Sequence, residues 1–186
     1  MPNLRSIGAV ELSSIGVGYR VQDVLLKAAS VELLVARTIC SGKYFIVFGG
    51  NVGDVEASVG AALEDAGEAI IDSMVLPNVH EAVFPALGQS VALARKDISA
   101  LGLIESFSGT SILAAADAAA KAANIKLFRV HVAMALGGKG FCLMTGSVAD
   151  CEAGVAAGAQ QVRERGLLVS KIVIPGPRPE LFEEYL

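Results

Sequence analysis

The pattern of apolar and polar positions in the first ninety or so residues predicts a mixed α/β unit. Short segments that alternate in polarity, or that are rich in β-branched and aromatic residues, are typical of strands. Longer segments with a capping residue before them and a glycine after them are typical of helices. The predicted strands are residues 5–12, Val31–Ile39, Tyr44–Phe48 and Ala69–Leu76, and the predicted helices are Gln22–Ala29 and Asn51 or Asp54 to Ala66. Strand-helix-strand-strand-helix-strand is the ferredoxin-like order, an α+β arrangement that supports many functions.

The same pattern occurs a second time along the chain. Matching segments are 94 residues apart near the start, 96 apart in the middle and 98 apart near the end of the repeat. This period is that of a small domain, because solenoid repeats are only about 20–50 residues long. Three matches carry the repeat: Asp23-x-x-x-Lys27-Ala28-Ala29 with Asp117-x-x-x-Lys121-Ala122-Ala123, Gly42-Lys43 with Gly138-Lys139, and Met74-Val75-Leu76-Pro77 with Ile172-Val173-Ile174-Pro175.

The repeat predicts two tandem domains of one fold. We assign residues 1–95 to the first domain with its linker and residues 96–186 to the second. The linker is expected near Asn78–Lys96, which contains Pro85 and the turn-forming sequence Gly88-Gln89-Ser90.

Composition narrows the class of protein. A formal net charge of −4 argues against a nucleic-acid platform, which needs a basic surface. The longest apolar segment, Ile112–Ala123, contains Asp117 and Lys121, so no membrane span is expected. No signal peptide is recognisable at the start, and three cysteines do not make a disulfide framework, so we expect a reducing cytosol. Because 53% of the residues are hydrophobic, we also expect surfaces buried between copies.

The repeated motifs resemble those of bacterial microcompartment shell domains. The features are Asp-x-x-x-Lys-Ala-Ala followed by Asn or Ser, the Gly-Lys after a short loop, and the closing Val-x-Pro segment, and both halves carry them. Two such domains in one chain resemble the tandem-domain shell proteins. The resemblance implies a homotrimer that imitates the hexamers of single-domain relatives and packs edge to edge with other shell proteins.

The segment from Arg37 to Lys43 is similar to a motif of the T-type shell proteins of propanediol-utilisation compartments. Their pore loop reads Thr-Ile-Cys-Pro-Gly-Lys, and this chain has Ser41 in place of the proline. In that family the loop cysteine from three subunits holds an iron–sulfur cluster. The resemblance therefore implies one [4Fe–4S] cluster per trimer, bound by Cys40 of three chains and used for electron transfer across the shell. A redox enzyme in the lumen or the cytosol is the implied partner.

Residue chemistry alone leaves the role of Cys40 open. One cysteine per chain cannot complete a metal site, but three thiolates around a three-fold axis match the symmetry of a [4Fe–4S] cluster or a zinc ion. An ordinary small apolar residue at a strand end is the other interpretation. Cys142 and Cys151 align with Ile46 and Val55, so packing is expected for both.

The resemblance also implies a pore loop and a tile edge. The predicted pore-loop residues are Thr38, Ile39, Ser41 and Gly42 in the first domain and Met134, Ala135, Leu136, Gly137 and Gly138 in the second. Lys43 and Lys139 follow these loops and either offset thiolate charge or are simply solvated. The predicted edge residues are Lys27, Lys121 and Arg178, while Asn78 stands where the first domain lacks the matching arginine.

No catalytic constellation is recognisable, and we expect no enzyme activity. His80 lies in the predicted linker, His131 aligns with Arg37, and Glu11 and Glu105 recur as single carboxylates on a strand, where a structural hydrogen bond is expected. Two alternatives to the metal-bearing tile stay open. One is a tile whose central opening conducts metabolites without a metal, and the other is a soluble ferredoxin-like regulatory protein that binds a small ligand.

Overall fold

Two four-stranded antiparallel sheets, each carrying a pair of helices, make up the computed structural model, which describes residues 4–132 and 136–185. The first compact unit contains the described residues up to Val79 together with residues 136–138. The second contains residues 80–132 and 139–185.

The first unit has the predicted order of elements. Its central strand, β1, pairs antiparallel with β3 and with β4, so the sheet order is β2-β3-β1-β4 and the ferredoxin-like prediction is confirmed. The elements are β1 (Ser6–Leu12), α1 (Ile15–Ala28), β2 (Glu32–Ile39), β3 (Lys43–Gly50), α2 (Val52–Ala66) and β4 (Ile70–Leu76).

Helices α1 and α2 cover one face of this sheet and bury its core. Val21 and Leu25 of α1 and Ala62 of α2 are fully buried with Ile46 and Phe48 of β3. Full burial of a valine, leucine, isoleucine or phenylalanine side chain contributes roughly 1.5–3 kcal/mol. The core of the first unit therefore lies between the helices and the sheet.

Capping residues define the ends of both helices. Ser14 precedes α1, and its hydroxyl accepts a hydrogen bond from the Val17 N–H at 3.4 Å. The helix thus begins well before the predicted Gln22. Asn51 caps α2 by accepting from the Asp54 N–H at 2.9 Å, and Gly67 ends it at φ 52°, as the sequence predicts.

The second unit repeats the fold with one additional helix. Its sheet order, β6-β7-β5-β8, matches that of the first sheet. The elements are α3 (Val83–Leu87), β5 (Ala100–Ser106), α4 (Gly109–Ala122), β6 (Lys126–Val132), β7 (Gly140–Gly146), α5 (Val148–Glu164) and β8 (Leu168–Pro175), followed by a 3₁₀ segment, Pro179–Tyr185.

The segment predicted as a linker packs on the second unit. Helix α3 contacts β6 and α4, and Leu93 joins Phe128, Leu143 and Phe182 in a second apolar cluster. Leu101 and Leu103 of β5 also pack against this cluster. Side chains alternate between the two faces of a strand, so the fully buried Ile104 points to the opposite face of the sheet. The second sheet is therefore covered on both faces.

A buried carboxylate ties the chain to α4 where the second unit begins. Asp117 accepts the His80 N–H at 2.7 Å and the Lys121 Nζ at 2.7 Å, and its side chain is only 7% exposed. Asp23, its counterpart in α1, pairs with Lys27 in the same way but is 60% exposed.

This asymmetry gives a stability prediction. Asp117→Ala is expected to lower the free energy of unfolding by about 2 kcal/mol, because it removes two charge-assisted hydrogen bonds and leaves the His80 N–H without an acceptor. Asp23→Ala is the matched control and should cost less than about 0.5 kcal/mol, as for other exposed helix pairs. Urea unfolding measures both, and equal losses would contradict the prediction.

None of the helices in the described ranges, 4–132 and 136–185, has the length and apolar character needed to cross a membrane.

Candidate functional site

Cys40 lies in a tight turn between two paired strands. Strand β2 ends at Ile39, which pairs with Lys43 at the start of β3, and Cys40–Gly42 forms a single 3₁₀ turn between them. Ser41 and Gly42 both have positive φ, 66° and 73°. Ile39 is buried, Thr38, Ser41 and Gly42 are exposed, and Cys40 is half-buried. The predicted first pore loop is thus one short turn that carries a partly accessible thiol.

The conformation of Ser41 bears directly on the proline of the related motif. The proline ring fixes φ near −65°, so proline cannot adopt the left-handed conformation that Ser41 has here. Since a proline would stiffen the loop, the serine at this position predicts a more mobile one. The structure shows that the turn has a backbone conformation different from any that proline permits.

We therefore expect Ser41→Pro to destabilise the turn. Forcing φ from 66° to a negative value changes the path of the backbone beside Cys40, at a cost of about 1–3 kcal/mol. Ser41→Gly should be tolerated, because glycine reaches positive φ without strain. Thermal unfolding of the two variants checks the prediction, and a proline variant as stable as the wild type would contradict it.

The three cysteines differ sharply in environment. Cys142 on β7 and Cys151 on α5 are fully buried, which agrees with the packing role expected for both. Burial raises the pKa of Cys142 to about 12. Burial, with a smaller contribution from the Asp150 charge, also raises the pKa of Cys151. Since metals bind the thiolate, the half-buried Cys40 is the cysteine best suited to act as a ligand.

Each lysine that follows a predicted pore loop forms an ion pair with a glutamate of the central strand. Lys43 Nζ lies 2.9 Å from Glu11 Oε1, and Lys139 Nζ lies 3.1 Å from Glu105 Oε1. Glu11 is 5% exposed and Glu105 is 30% exposed, and Glu105 also accepts a hydrogen bond from the Ser170 hydroxyl. The structural role expected for the two glutamates is confirmed, and the lysine charges are largely neutralised by them.

The pairing of these residues was not predicted from the sequence. Glu11 and Lys43 are 32 positions apart, and Glu105 and Lys139 are 34 apart, so no local pattern joins them. The signal that was available is their joint recurrence in both halves. The ion pairs fasten the end of each loop to the central strand of its own sheet.

The second predicted pore loop is described only in part. Leu136 is exposed, and Gly137 and Gly138 adopt φ values of 63° and 91° that favour glycine. Met134 and Ala135 lie outside the described residues. Phe107, exposed at the end of β5, lies beneath Lys139, whose Nζ is 5.6 Å from the ring centre.

The predicted edge residues are all exposed, but their partners differ. Lys27 pairs with the exposed Asp23, Lys121 pairs with the buried Asp117, and Arg178 pairs with the exposed Glu180. The geometry thus separates two groups of predicted residues: a turn that carries Cys40, and charged residues on the helices and after the last strand. Within the described part of one chain, no three or more His, Cys, Asp or Glu side chains come together as a metal site.

Comparison with known proteins matches both halves of the chain to one family. The BMC domain matches residues 6–79 and again residues 100–177. The bacterial microcompartment shell protein PduT of Citrobacter freundii is 38% identical over 180 residues, which cover 97% of this chain and 97% of PduT. The chain belongs to the bacterial microcompartment shell proteins. Its tandem-domain fold and its location in a microcompartment shell, both expected from the sequence, are confirmed.

Two further relatives agree with this assignment. A crystal structure of a microcompartments protein from Desulfitobacterium hafniense DCB superposes on this shell protein with a TM-score of 0.90. It is 44% identical, and the match covers 96% of this chain and 98% of that one. The shell protein EutM of Salmonella typhimurium is 40% identical over 88 residues, which are 47% of this chain and 90% of EutM. A relative that matches half of this chain over nearly its whole length is what a duplicated domain predicts.

Proposed function

We propose that this shell protein is a homotrimeric tile that carries a [4Fe–4S] cluster on its three-fold axis, with Cys40 of each chain as ligand. Three copies of two similar domains make a ring of six. The exposed residues Lys27, Lys121 and Arg178 would form the edges at which the tile packs against other shell proteins. The cluster would serve electron transfer across the shell to a redox enzyme on either side.

The half-buried position of Cys40 is the observation that supports this proposal most strongly. A shared metal centre needs a thiol that can reach beyond its own chain, and the other two cysteines are fully buried. The short Cys40–Gly42 turn limits the freedom of that thiol, and the Glu11–Lys43 ion pair fixes the strand that follows it. A turn held at both ends reduces the entropy lost when three thiols converge on one centre.

The residues present fit an iron–sulfur centre by the chemistry of their donors. Iron–sulfur clusters are held by cysteine thiolates, and Cys40 of three chains would supply three of them. When bound, such a cluster supplies one-electron redox chemistry that no side chain of the protein provides. The contribution of this chain is to present Cys40 and to exclude water with the apolar residues of the loops, among them Ile39 and Leu136.

Metal, sulfide and mass analysis of the full chain, purified without oxygen, tests the proposal. We expect a brown trimer with about four iron and four sulfide per three chains. A finding of one zinc per trimer and no sulfide would mean that the centre is a zinc ion and not an iron–sulfur cluster. A colourless, metal-free trimer would overturn the metal centre and favour the tile with a metabolite-conducting opening.

The tile itself needs a separate measurement. Electron micrographs of concentrated protein should show extended sheets, and a Lys27→Ala, Lys121→Ala double variant should remain trimeric while forming fewer of them. A monomer that never forms sheets would contradict the tile and favour the ligand-binding alternative.

A further inference from the structure

A small cavity opens on the face of the second sheet that α4 and α5 do not cover. Its volume is about 250 Å³, and its walls come from residues 89–92, strand β6 and the C-terminal 3₁₀ segment. All of these belong to the second unit. Phe128 and Tyr185 form aromatic walls, their ring centres 5.1 Å apart, and Arg129 and Gln89 bring polar groups to the same space.

A β-bulge places Phe128 and Arg129 on the same cavity. Leu127 pairs with Met144 and Arg129 pairs with Leu143, so Phe128 is an extra residue in β6. In a regular strand two consecutive side chains point to opposite faces, whereas a bulge lets both line one surface. The sheet thus brings a cation next to an aromatic wall.

The guanidinium of Arg129 has no acidic partner among the side chains that the structure describes. Its carbon lies 5.8 Å from the centre of the Tyr185 ring, and its buried Nε has no hydrogen-bond acceptor among the described atoms. Removing a charged group from water without pairing it is unfavourable. An anion bound beside this half-buried guanidinium would compensate its charge.

The first unit shows that the fold does not need this arginine. The same bulge occurs there between Leu33 and Val35, and the residues that match Phe128 and Arg129 are Leu34 and Val35. Both are apolar. Arg129 therefore replaces a residue that would suit the sheet, and its presence in the second unit alone needs a reason other than folding.

We propose that this cavity binds a small organic oxyanion. Its carboxylate or phosphate group would pair with the planar guanidinium of Arg129, the geometry in which arginine makes two parallel hydrogen bonds. The apolar part of the ligand would pack between Phe128 and Tyr185, and the Gln89 amide supplies a further donor. A few polar groups within mostly apolar walls are typical of small-molecule sites. This proposal does not depend on the metal centre.

Calorimetric titration of the full chain with inorganic phosphate and with succinate tests the proposal in a buffer free of both. We expect saturable binding of at least one of them, with one site per chain. Arg129→Met should weaken it at least tenfold, and Arg129→Lys should weaken it less, since it keeps the charge but loses the fork. Lys126→Met removes the same charge from an exposed position on β6 and should change the affinity less than twofold.

The two probes distinguish the sources of the anion, because a preference for succinate identifies a carboxylate site and a preference for phosphate identifies a phosphate site. Either preference supports the proposal. Absence of saturable binding of both probes to the wild type would overturn it. Equal binding by the wild type and Arg129→Met, or an equal loss in Lys126→Met, would overturn it as well. If Arg129→Met does not fold, the comparison of Arg129→Lys with Lys126→Met decides the question.

Discussion

Replacing Gly158 with alanine is expected to lower the free energy of unfolding by about 2–3 kcal/mol, although alanine is the better helix former. Gly158 lies in α5 where this helix packs on α4. A Cβ at this position would lie 2.5 Å from the Ala115 carbonyl oxygen and 2.6 Å from Ile104 Cδ1. The Cδ1 atom is the far end of a side chain that can rotate, whereas the carbonyl belongs to the backbone of α4. The two helices must therefore separate to admit the methyl group.

Gly60 in α2 is the matched control for this substitution. Apart from its chain neighbours and the adjacent backbone of α2, no described atom lies within 4 Å of a Cβ built there. Gly60→Ala should therefore raise the free energy of unfolding by up to about 1 kcal/mol through helix propensity alone. Urea unfolding of the two variants measures one chemical change in two environments. Equal effects, or a stabilised Gly158→Ala variant, would show that α4 and α5 are farther apart than the structure has them.

The two domains reach the same fold with different helix contacts. The position that matches Gly158 is Ala62 in α2, where a methyl group is buried without such a conflict. Ser58 of α2 donates its hydroxyl to the Leu25 carbonyl at 2.9 Å, and its match in α5 is Gly154. Small residues on α5 and the alanines of α4 let the second pair of helices approach closely. Because the fold is duplicated, each domain serves as an internal control for the other.

Elements with local signals were predicted well from the sequence. The cap Asn51 and the stop at Gly67 are each decided by a few neighbouring atoms, so their residue types suffice. The strand order followed from the order of elements and its repetition. These features depend on short stretches of chain.

The first turns of α1 and the helix α3 depend on tertiary packing instead. Residues 15–18 contain two glycines and two β-branched residues, all weak helix formers, yet α1 includes them because Gly18 packs against Tyr44. Pro85 in α3 favours a turn in the sequence, but proline is tolerated in the first turn of a helix. The contacts of α3 with β6 and α4, all within the second unit, therefore decide the structure of this segment.

Some features of the candidate site could likewise be predicted from the sequence, and others could not. The motif around Cys40 was recognisable from the sequence, and the structure places its thiol in a half-buried position. The positive φ of Ser41 and the Glu11–Lys43 ion pair were not predicted, because neither follows from residue spacing. A comparison of the two halves shows that Arg129 differs from Val35. That no described side chain gives it an acidic partner could not be predicted from the sequence.

Replacing Cys40 with serine is expected to abolish metal binding altogether, the largest effect on the proposed function that one substitution can have. The change exchanges sulfur for oxygen at the same position in the turn. A serine hydroxyl does not ionise at neutral pH, so three serines cannot replace three thiolates as ligands of iron. Iron and sulfide in trimers purified without oxygen should fall to background, together with the visible absorption of the protein.

Two controls separate loss of a ligand from loss of structure. Cys142→Ala and Cys151→Ala remove a buried thiol each and should cost about 1–2 kcal/mol of stability while keeping the full iron content per folded trimer. Cys40→Ser should show the opposite behaviour, with unfolding little changed and no iron, because the half-buried side chain of Cys40 contributes less to the core. A Cys40→Ser trimer that keeps its iron and sulfide would exclude this cysteine as the ligand. A Cys40→Ser variant that lost iron only in proportion to the fraction of unfolded protein would instead give the thiol a structural role in the turn.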